Sequence, residues 1–351
     1  MTEDKGILIK NIYYMLTYAF QVLKQTNYEE IEAESFDEVQ DLFAAILAKG
    51  IGQQIKQGLH REYTIKKDTL TTLRGKVDLS ETIKDKQQRK QVISCEFDEL
   101  SENNLLNQII KTTALILIRG NGVTAEHRNA LKKALLFFDE IDTIDPGLIQ
   151  WNRLNIRRNN KSYVMLINIC YFVIDGLLQT TEKGNYKMAN FSDDHMARLF
   201  ERFVLEYYIR NHKELLVSAS QVNWNVTNGN EASIQFLPSM QTDIMLKDKH
   251  SPRTLIIDTK YYTHTMQKQF DSYTFHSGNM YQIFAYVKNQ DVSASGDVSG
   301  MLLYAKTGES ITPNAEFEIG GNKISVKTLD LNHDFKVIAK QLDTIVETYF
   351  G

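Results

Sequence analysis

The 351-residue chain is long enough for about two domains of roughly 150 residues each. Its 42% hydrophobic and 24% charged residues are ordinary for a globular protein, and a net charge of −4 excludes a uniformly cationic platform for nucleic acid or membrane. Two cysteines, Cys95 and Cys170, are too few for a disulfide framework or a zinc cluster and suit a reducing compartment. The acidic start MTEDKG, and the lack of any apolar run near the roughly 18 residues of a membrane span, lead us to expect a cytoplasmic protein with no membrane partner.

In chain order, residues 7–23 read as a short strand and then a buried aromatic-rich helix. Residues 35–58 read as a helix with Ser35 and Glu38 as a capping box, loosened or ended by Gly50, Gly52 and Gly58. The β-like stretch 62–79 contains Arg74, and 84–90 (KDKQQRK) reads as a polar loop. A strand running into a long helix (95–120), a second helix (125–141) and an almost wholly apolar helix (163–178) follow. Arg153, Arg157, Arg158 and Lys161 form the densest basic cluster, either a solvated loop or a contact for phosphate or an acidic partner. The polar, Gly-containing 180–190 reads as a domain boundary, which gives domains 1–190 and 191–351.

After it come a helix to about residue 212, strands at 216–226 and 234–237, a hairpin, a helix at 276–288, strands at 301–305, 315–319 and 323–328, and a terminal helix at 334–349. The expected fold is therefore mixed α+β and α/β. A mostly helical N-terminal domain with a small β element precedes a C-terminal domain whose mixed sheet is flanked by helices.

The hairpin MQTDIMLKDKHSPRTLIIDTKYY (240–262) carries the chemistry. Asp258 and Lys260 are two apart, so they share a strand face. A turn centred between His250 and Ser251 sets Asp243 opposite Asp258. Opposed carboxylates are destabilising in a sheet unless something compensates, and a hard divalent cation would do so. Asp243 and Asp258, with the Thr259 carbonyl, are candidate Mg²⁺ ligands, and Lys260 is placed to orient water and offset charge at a phosphoryl group. Each alone reads blandly: an Asp at a strand end as a turn residue, Lys260 as a surface lysine, the two as an ion pair. Together, D-x14-D-x-K behind an apolar LII favours phosphodiester hydrolysis.

On the helix that opens this half, Glu206 falls beside the apolar stripe Met196, Leu199, Phe200, Phe203 and Tyr207, and Glu201 nearer the opposite side. Glu206 is therefore the favoured third acid, with Glu201 the alternative. Gln282 and Tyr286 share a helix face four residues apart, Gln282 as a candidate catalytic residue and Tyr286 as packing. His264 and His276 have no partner readable from sequence. No phosphate-binding GxxxxGK[S/T] loop is present, which speaks against nucleotide hydrolysis by this chain.

These residues resemble the PD-(D/E)xK nuclease motif, with Pro238 a few residues before the first Asp, and the Gln282 helix looks like that of RecB-like members. The stretches NIYYMLTYAF (11–20), RGKVDLSETI (74–83), FDELSENNLLNQIIK (97–111), MQTDI (240–244), LIIDTKYY (255–262) and FHSGNMYQIFAY (275–286) resemble the McrC family, the nuclease subunits of McrBC-type modification-dependent restriction systems. That resemblance implies a Mg²⁺-dependent DNA endonuclease subunit, with Mn²⁺ able to substitute. Double-stranded DNA, selected for 5-methylcytosine-type modification by a partner, would be its substrate. The partner would be an McrB-like AAA+ GTPase hexamer whose GTPase the chain stimulates through domain 1–190, using the Arg74 region or the Arg153–Lys161 cluster. The rival readings are a non-catalytic activator of an AAA+ NTPase and a stand-alone nuclease. Net charge speaks mildly against the second.

Overall fold

The structure, a computed structural model, describes residues 3–4, 7–19, 31, 36–154, 161–178, 193–261, 267–269, 272–306 and 312–351. The chain divides into two compact units, Met1–Leu42 with Met188–Gly351, and Phe43–Lys187. The second division falls inside the expected 180–190 stretch, whose residues lie outside those described. The N-terminal segment departs from expectation, because residues 1–42 belong with the C-terminal unit. The cause lies in helix α1 (Ile9–Ala19). Asn11 Nδ2 donates to the carbonyls of Leu331 and His333 at 2.7 Å each, and Tyr14 stacks on Phe335 with centroids 4.6 Å apart.

Helix α2 (Val39–Gln57), which enters the middle unit at Phe43, runs straight through Gly50 and Gly52 and stops at Gly58, whose φ of +90° suits only glycine. Ser35 lies outside the described residues, and the helix begins after Glu38. Strand β1 (Glu62–Leu70) and the short β2 (Lys76–Val77) precede α3 (Leu79–Gln87). Helix α3 replaces most of the expected 84–90 loop. Asp78 caps it through Glu81 N, and Glu81 pairs with Lys84 at 2.6 Å, so it forms without an apolar stripe to announce it. β3 (Ile93–Ser101) pairs antiparallel with both β1 and β2.

Helices α4 (Leu105–Arg119), α5 (Ala125–Leu135) and α6 (Lys161–Leu178) supply this unit's core, with Ile109, Leu117, Leu131, Leu166, Ile169 and Cys170 all fully buried. Burial pushes the Cys170 thiol up to about 12, so it is an inert core group. Buried Asn107 accepts from Tyr163 Oη at 2.8 Å and donates to the carbonyls of His60 and Glu102, tying α4 to α6 and to the start of β1.

The C-terminal unit opens with α7 (Asp193–Asn211). Strands β4 (Leu215–Ser218), β5 (Ile244–Asp248), β6 (Thr254–Lys260), β7 (Val298–Ala305), β8 (Ala315–Ile319) and β9 (Asn322–Leu329) form a six-stranded sheet in the order β8-β9-β7-β6-β5-β4. β6 runs parallel to β7, and β7 to β9, while the outer pairings are antiparallel. α8 (Ser277–Gln290) and α9 (Phe335–Phe350) accompany the sheet. The expected strand at 234–237 is instead a helical turn, Glu231–Ile234, and a further turn; Phe236, 81% exposed, has no sheet face to bury against.

The core joins Met245, Ile256, Leu302, Ile324 and Val326 of the sheet to Ile283, Tyr286 and Val287 of α8. Gly300 makes this close approach possible. A Cβ there would sit 2.7 Å from Val287 Cγ2, 2.8 Å from Ile283 Cγ1 and 3.0 Å from Ile324 Cδ1. Gly300→Ala is expected to cost about 1–3 kcal/mol through overpacking. Denaturant unfolding checks this; an unchanged midpoint would mean that α8 yields without strain.

Candidate functional site

The hairpin register sets the geometry. Leu255 pairs with Leu246, Ile256 with Met245 and Ile257 with Ile244, each equidistant from the His250/Ser251 point. Asp243 thus sits one position beyond the last pair, opposite Asp258, as the turn symmetry predicts. The chain bends there: Asp243 Oδ2 accepts from Thr259 N at 2.7 Å and Thr259 Oγ1 at 2.8 Å. Of the residues around the two acids, Thr259 thereby fixes one carboxylate oxygen with two donors.

Asp258 is 1% exposed, on a strand that is buried along nearly its whole length. Its Oδ2 lies 2.6 Å from Lys260 Nζ, yet it has no aligned hydrogen bond. Burial pushes its carboxyl up to about 6, the Lys260 ammonium pulls it back, and Asp243 and Glu201 add to the rise. Lys260 Nζ also donates to Gln282 Oε1 at 3.2 Å. Gln282 Nε2 donates to Tyr286 Oη at 2.9 Å, and that hydroxyl donates to the Gln241 carbonyl at 2.9 Å. α8 therefore holds both the lysine and the segment that leads into Asp243. Gln282 touches Lys260, which makes it a positioning residue, and Tyr286 does more than pack.

The two candidate third acids sit in different surroundings. Glu206 is buried, but it is held by Arg202 at 2.8 Å and Arg210 at 3.6 Å. Arg210 in turn donates to the carbonyls of Thr17 and Tyr18 on α1 and lies over the Tyr18 ring. Glu201 points elsewhere on the helix, since five residues turn it through about 140°. Its carboxyl is raised by burial and then by Asp243, with Lys260 opposing. Glu201 thus shares the field of the strand residues Asp243 and Lys260. The apolar stripe used to favour Glu206 is the one that receives α1: Tyr18 packs on Phe203 and Tyr207, with ring centroids 5.6 and 5.5 Å away.

Among the described residues no group of three His, Cys, Asp or Glu side chains is assembled to hold a metal. Two carboxylates, one of them with a buried oxygen lacking an aligned donor, still fit a magnesium-type ion, which usually takes one or two carboxylates and completes its shell with water and substrate phosphate.

Other candidates are dispersed. His276 is the residue before α8 and caps it through its carbonyl rather than its ring; His264, Arg157 and Arg158 lie outside the described residues. The Arg74 guanidinium lies 4.0 Å over the Phe97 ring and 3.6 Å from Glu99, and Arg153 is exposed. No described helix is long and apolar enough to cross a membrane.

Comparison with known proteins adds the following. The family model described as "McrBC 5-methylcytosine restriction system component" matches residues 3–305. A relative from Escherichia coli (strain K12), "Type IV methyl-directed restriction enzyme EcoKMcrBC", is 26% identical over 349 residues, 99% of each chain. In a solved structure of a half-complex of Thermococcus gammatolerans McrB AAA+ hexamers with bound McrC, one chain is 19% identical, with a TM-score of 0.51 over 96% of this chain and 76% of that one. That likeness is one of fold.

Proposed function

Because the chain belongs to the family of McrBC 5-methylcytosine restriction system components, we propose that it is the subunit that cuts DNA, a Mg²⁺-dependent phosphodiesterase working with an AAA+ GTPase partner. The observation that carries the nuclease reading is the buried Asp258–Lys260 pair facing Asp243. A structural ion pair has no need of a second and a third carboxylate raising the first.

Asp243 and Asp258 would hold the ion, with the Thr259 carbonyl as a backbone ligand and Glu201 in place of Glu206. When bound, Mg²⁺ (or Mn²⁺) supplies Lewis acidity at a phosphate oxygen and a more acidic water. The chain's own residues do the rest. Thr259 holds Asp243 in one rotamer. Gln282 and Tyr286 fix Lys260, whose ammonium balances charge at the reacting phosphate.

The E. coli relative is described as a methyl-directed restriction enzyme, and the Thermococcus gammatolerans neighbour comes from an assembly of McrB AAA+ hexamers with bound McrC. By analogy the partner would choose the modified duplex and hydrolyse GTP, and the cytoplasm would be the site of action. Contact with the partner, and stimulation of its GTPase, are proposed for the unit Phe43–Lys187.

The test is cleavage of methylated duplex DNA by the chain plus its AAA+ partner, GTP and Mg²⁺. Asp258→Ala is expected to abolish cutting while complex formation and GTP hydrolysis persist. If the variant cuts normally, the chain is an activator and the catalytic site lies elsewhere.

A further inference from the structure

The strand pairings set the height of each α7 residue along the sheet. Leu215, the first residue of β4, pairs with Asp248, and Thr254, the first of β6, pairs with the adjacent Lys247. β4 and β6 are both antiparallel to β5, so they start level and run the same way. α7 ends at Asn211, and the chain reverses into β4 with Leu215 N donating to His212 O at 3.2 Å. The helix therefore descends from the sheet edge at which β6 ends. At about 1.5 Å per residue, Glu201 is about 15 Å and Arg198 about 20 Å from the end of α7. At about 3.3 Å per residue, Asp258 is about 13 Å and Lys260 about 20 Å from the start of β6. Glu201 is level with Asp258, and Arg198 is level with Lys260 at the mouth of the site.

Arg198 is exposed, one turn from the half-buried Glu201 and about 60° from it around the helix. Its charge reaches the acids. Burial and Asp243 raise the Glu201 carboxyl, and Lys260 and then Arg198 lower it. Arg202, the next exposed cation on α7, is closed on Glu206 at 2.8 Å. Lys306, which follows β7 at the same edge, is closed on Asp330 at 2.5 Å.

The charge balance gives Arg198 its purpose. Asp243, Asp258 and Glu201 against Lys260 leave two formal negative charges in excess, which one divalent ion only cancels. A chain of net charge −4 has no general cationic surface to draw in a polyanion. A DNA strand brought against these acids needs fixed positive charge at the mouth.

We propose that Arg198 is a substrate-binding residue, donating its planar fork to the DNA phosphate next to the one being cut. The proposal rests on the reading of the chain as a DNA-cutting subunit. A guanidinium fork engages two phosphate oxygens at once, which fixes the register of the strand over Lys260. An arginine that only steadied Glu201 would act on the metal site and would be blind to the charge of the DNA.

The experiment follows cutting of methylated duplex by the full chain with its AAA+ partner, GTP and Mg²⁺, with DNA below saturation and over a range of salt. Arg198→Ala is expected to slow cutting about 10-fold, the loss of one hydrogen bond to a charged group. The slope of log rate against log salt should become shallower by about 1 unit. Arg198→Lys should restore the slope but only part of the rate, because a point charge cannot fork. Mn²⁺ affinity by calorimetry and the thermal midpoint should match wild type in both variants. Lys340→Ala, exposed on α9, should leave rate and slope alone. An unaltered slope in Arg198→Ala, a loss of Mn²⁺ affinity with it, or an equal change in Lys340→Ala would each overturn the proposal. A wild-type complex that leaves DNA whole sinks the nuclease reading and this one together. A cutting wild type with an unchanged slope in Arg198→Ala sinks this one alone.

Discussion

Lys260→Ala is expected to lower DNA cleavage by about 10²–10³-fold, the usual loss on removing one preorganised donor at a developing charge. It should also destabilise the metal-free protein, because it strips the counter-charge from a carboxylate that is 1% exposed. Breaking a buried pair this way costs about 3–5 kcal/mol when the remaining charge stays ionised. Asp258 has an escape. Its carboxyl already lies at about 6 with the lysine present, and without it the group takes up a proton more readily. The loss should therefore be smaller at pH 5 than at pH 8. A raised carboxyl weakens the fold as pH climbs through its folded value, and the variant extends that window upward. Mn²⁺ should restore part of the stability of Lys260→Ala. Unfolding by denaturant at the two pH values, with and without Mn²⁺, reads all of this. A variant that unfolds and cuts like wild type would return Lys260 to the role of a surface lysine.

The second expectation separates two glutamates five residues apart on α7. Glu201→Gln should reduce cleavage about 10–100-fold, the range for a residue that supports a metal site. Its stability should not fall, since burial and Asp243 already disfavour the Glu201 charge. Glu206→Gln should do the reverse. It leaves Arg210, largely buried, with the α1 carbonyls and the Tyr18 ring as its remaining partners among the described residues, and should cost about 1–3 kcal/mol with near-normal cutting. Single-turnover rates beside unfolding midpoints decide the matter. Loss of cutting in Glu206→Gln at full stability would reinstate the assignment from the helical wheel.

That pair shows where sequence reasoning reached and where it stopped. The hairpin was legible because its register follows from turn symmetry: 255 faces 246, 257 faces 244, and Asp243 then meets Asp258. Gln282 and Tyr286 were legible as one helix face, and the structure adds that the face is wired to Lys260 and to Gln241. The choice between Glu201 and Glu206 was not, because periodicity reports that a face is buried and not what buries it. α7 is packed all round through Phe203–Tyr208, and the stripe on which Glu206 borders receives α1 from the other end of the chain. The same contact explains why residues 1–42 could not be placed from composition. α3 escaped notice for the opposite reason, since an exposed helix held by a cap and an ion pair has little apolar periodicity.

The most direct measurement of the central claim is divalent-ion binding followed by calorimetry on the full chain, with Mn²⁺ as titrant. Wild type should bind at a site that is lost in Asp243→Asn with Asp258→Asn, with the fold intact, and Mn²⁺ or Mg²⁺ should then permit cutting only in the wild-type complex. Equal Mn²⁺ binding by the double variant, or cutting of DNA by its complex, would contradict the assignment of this hairpin as the nuclease site.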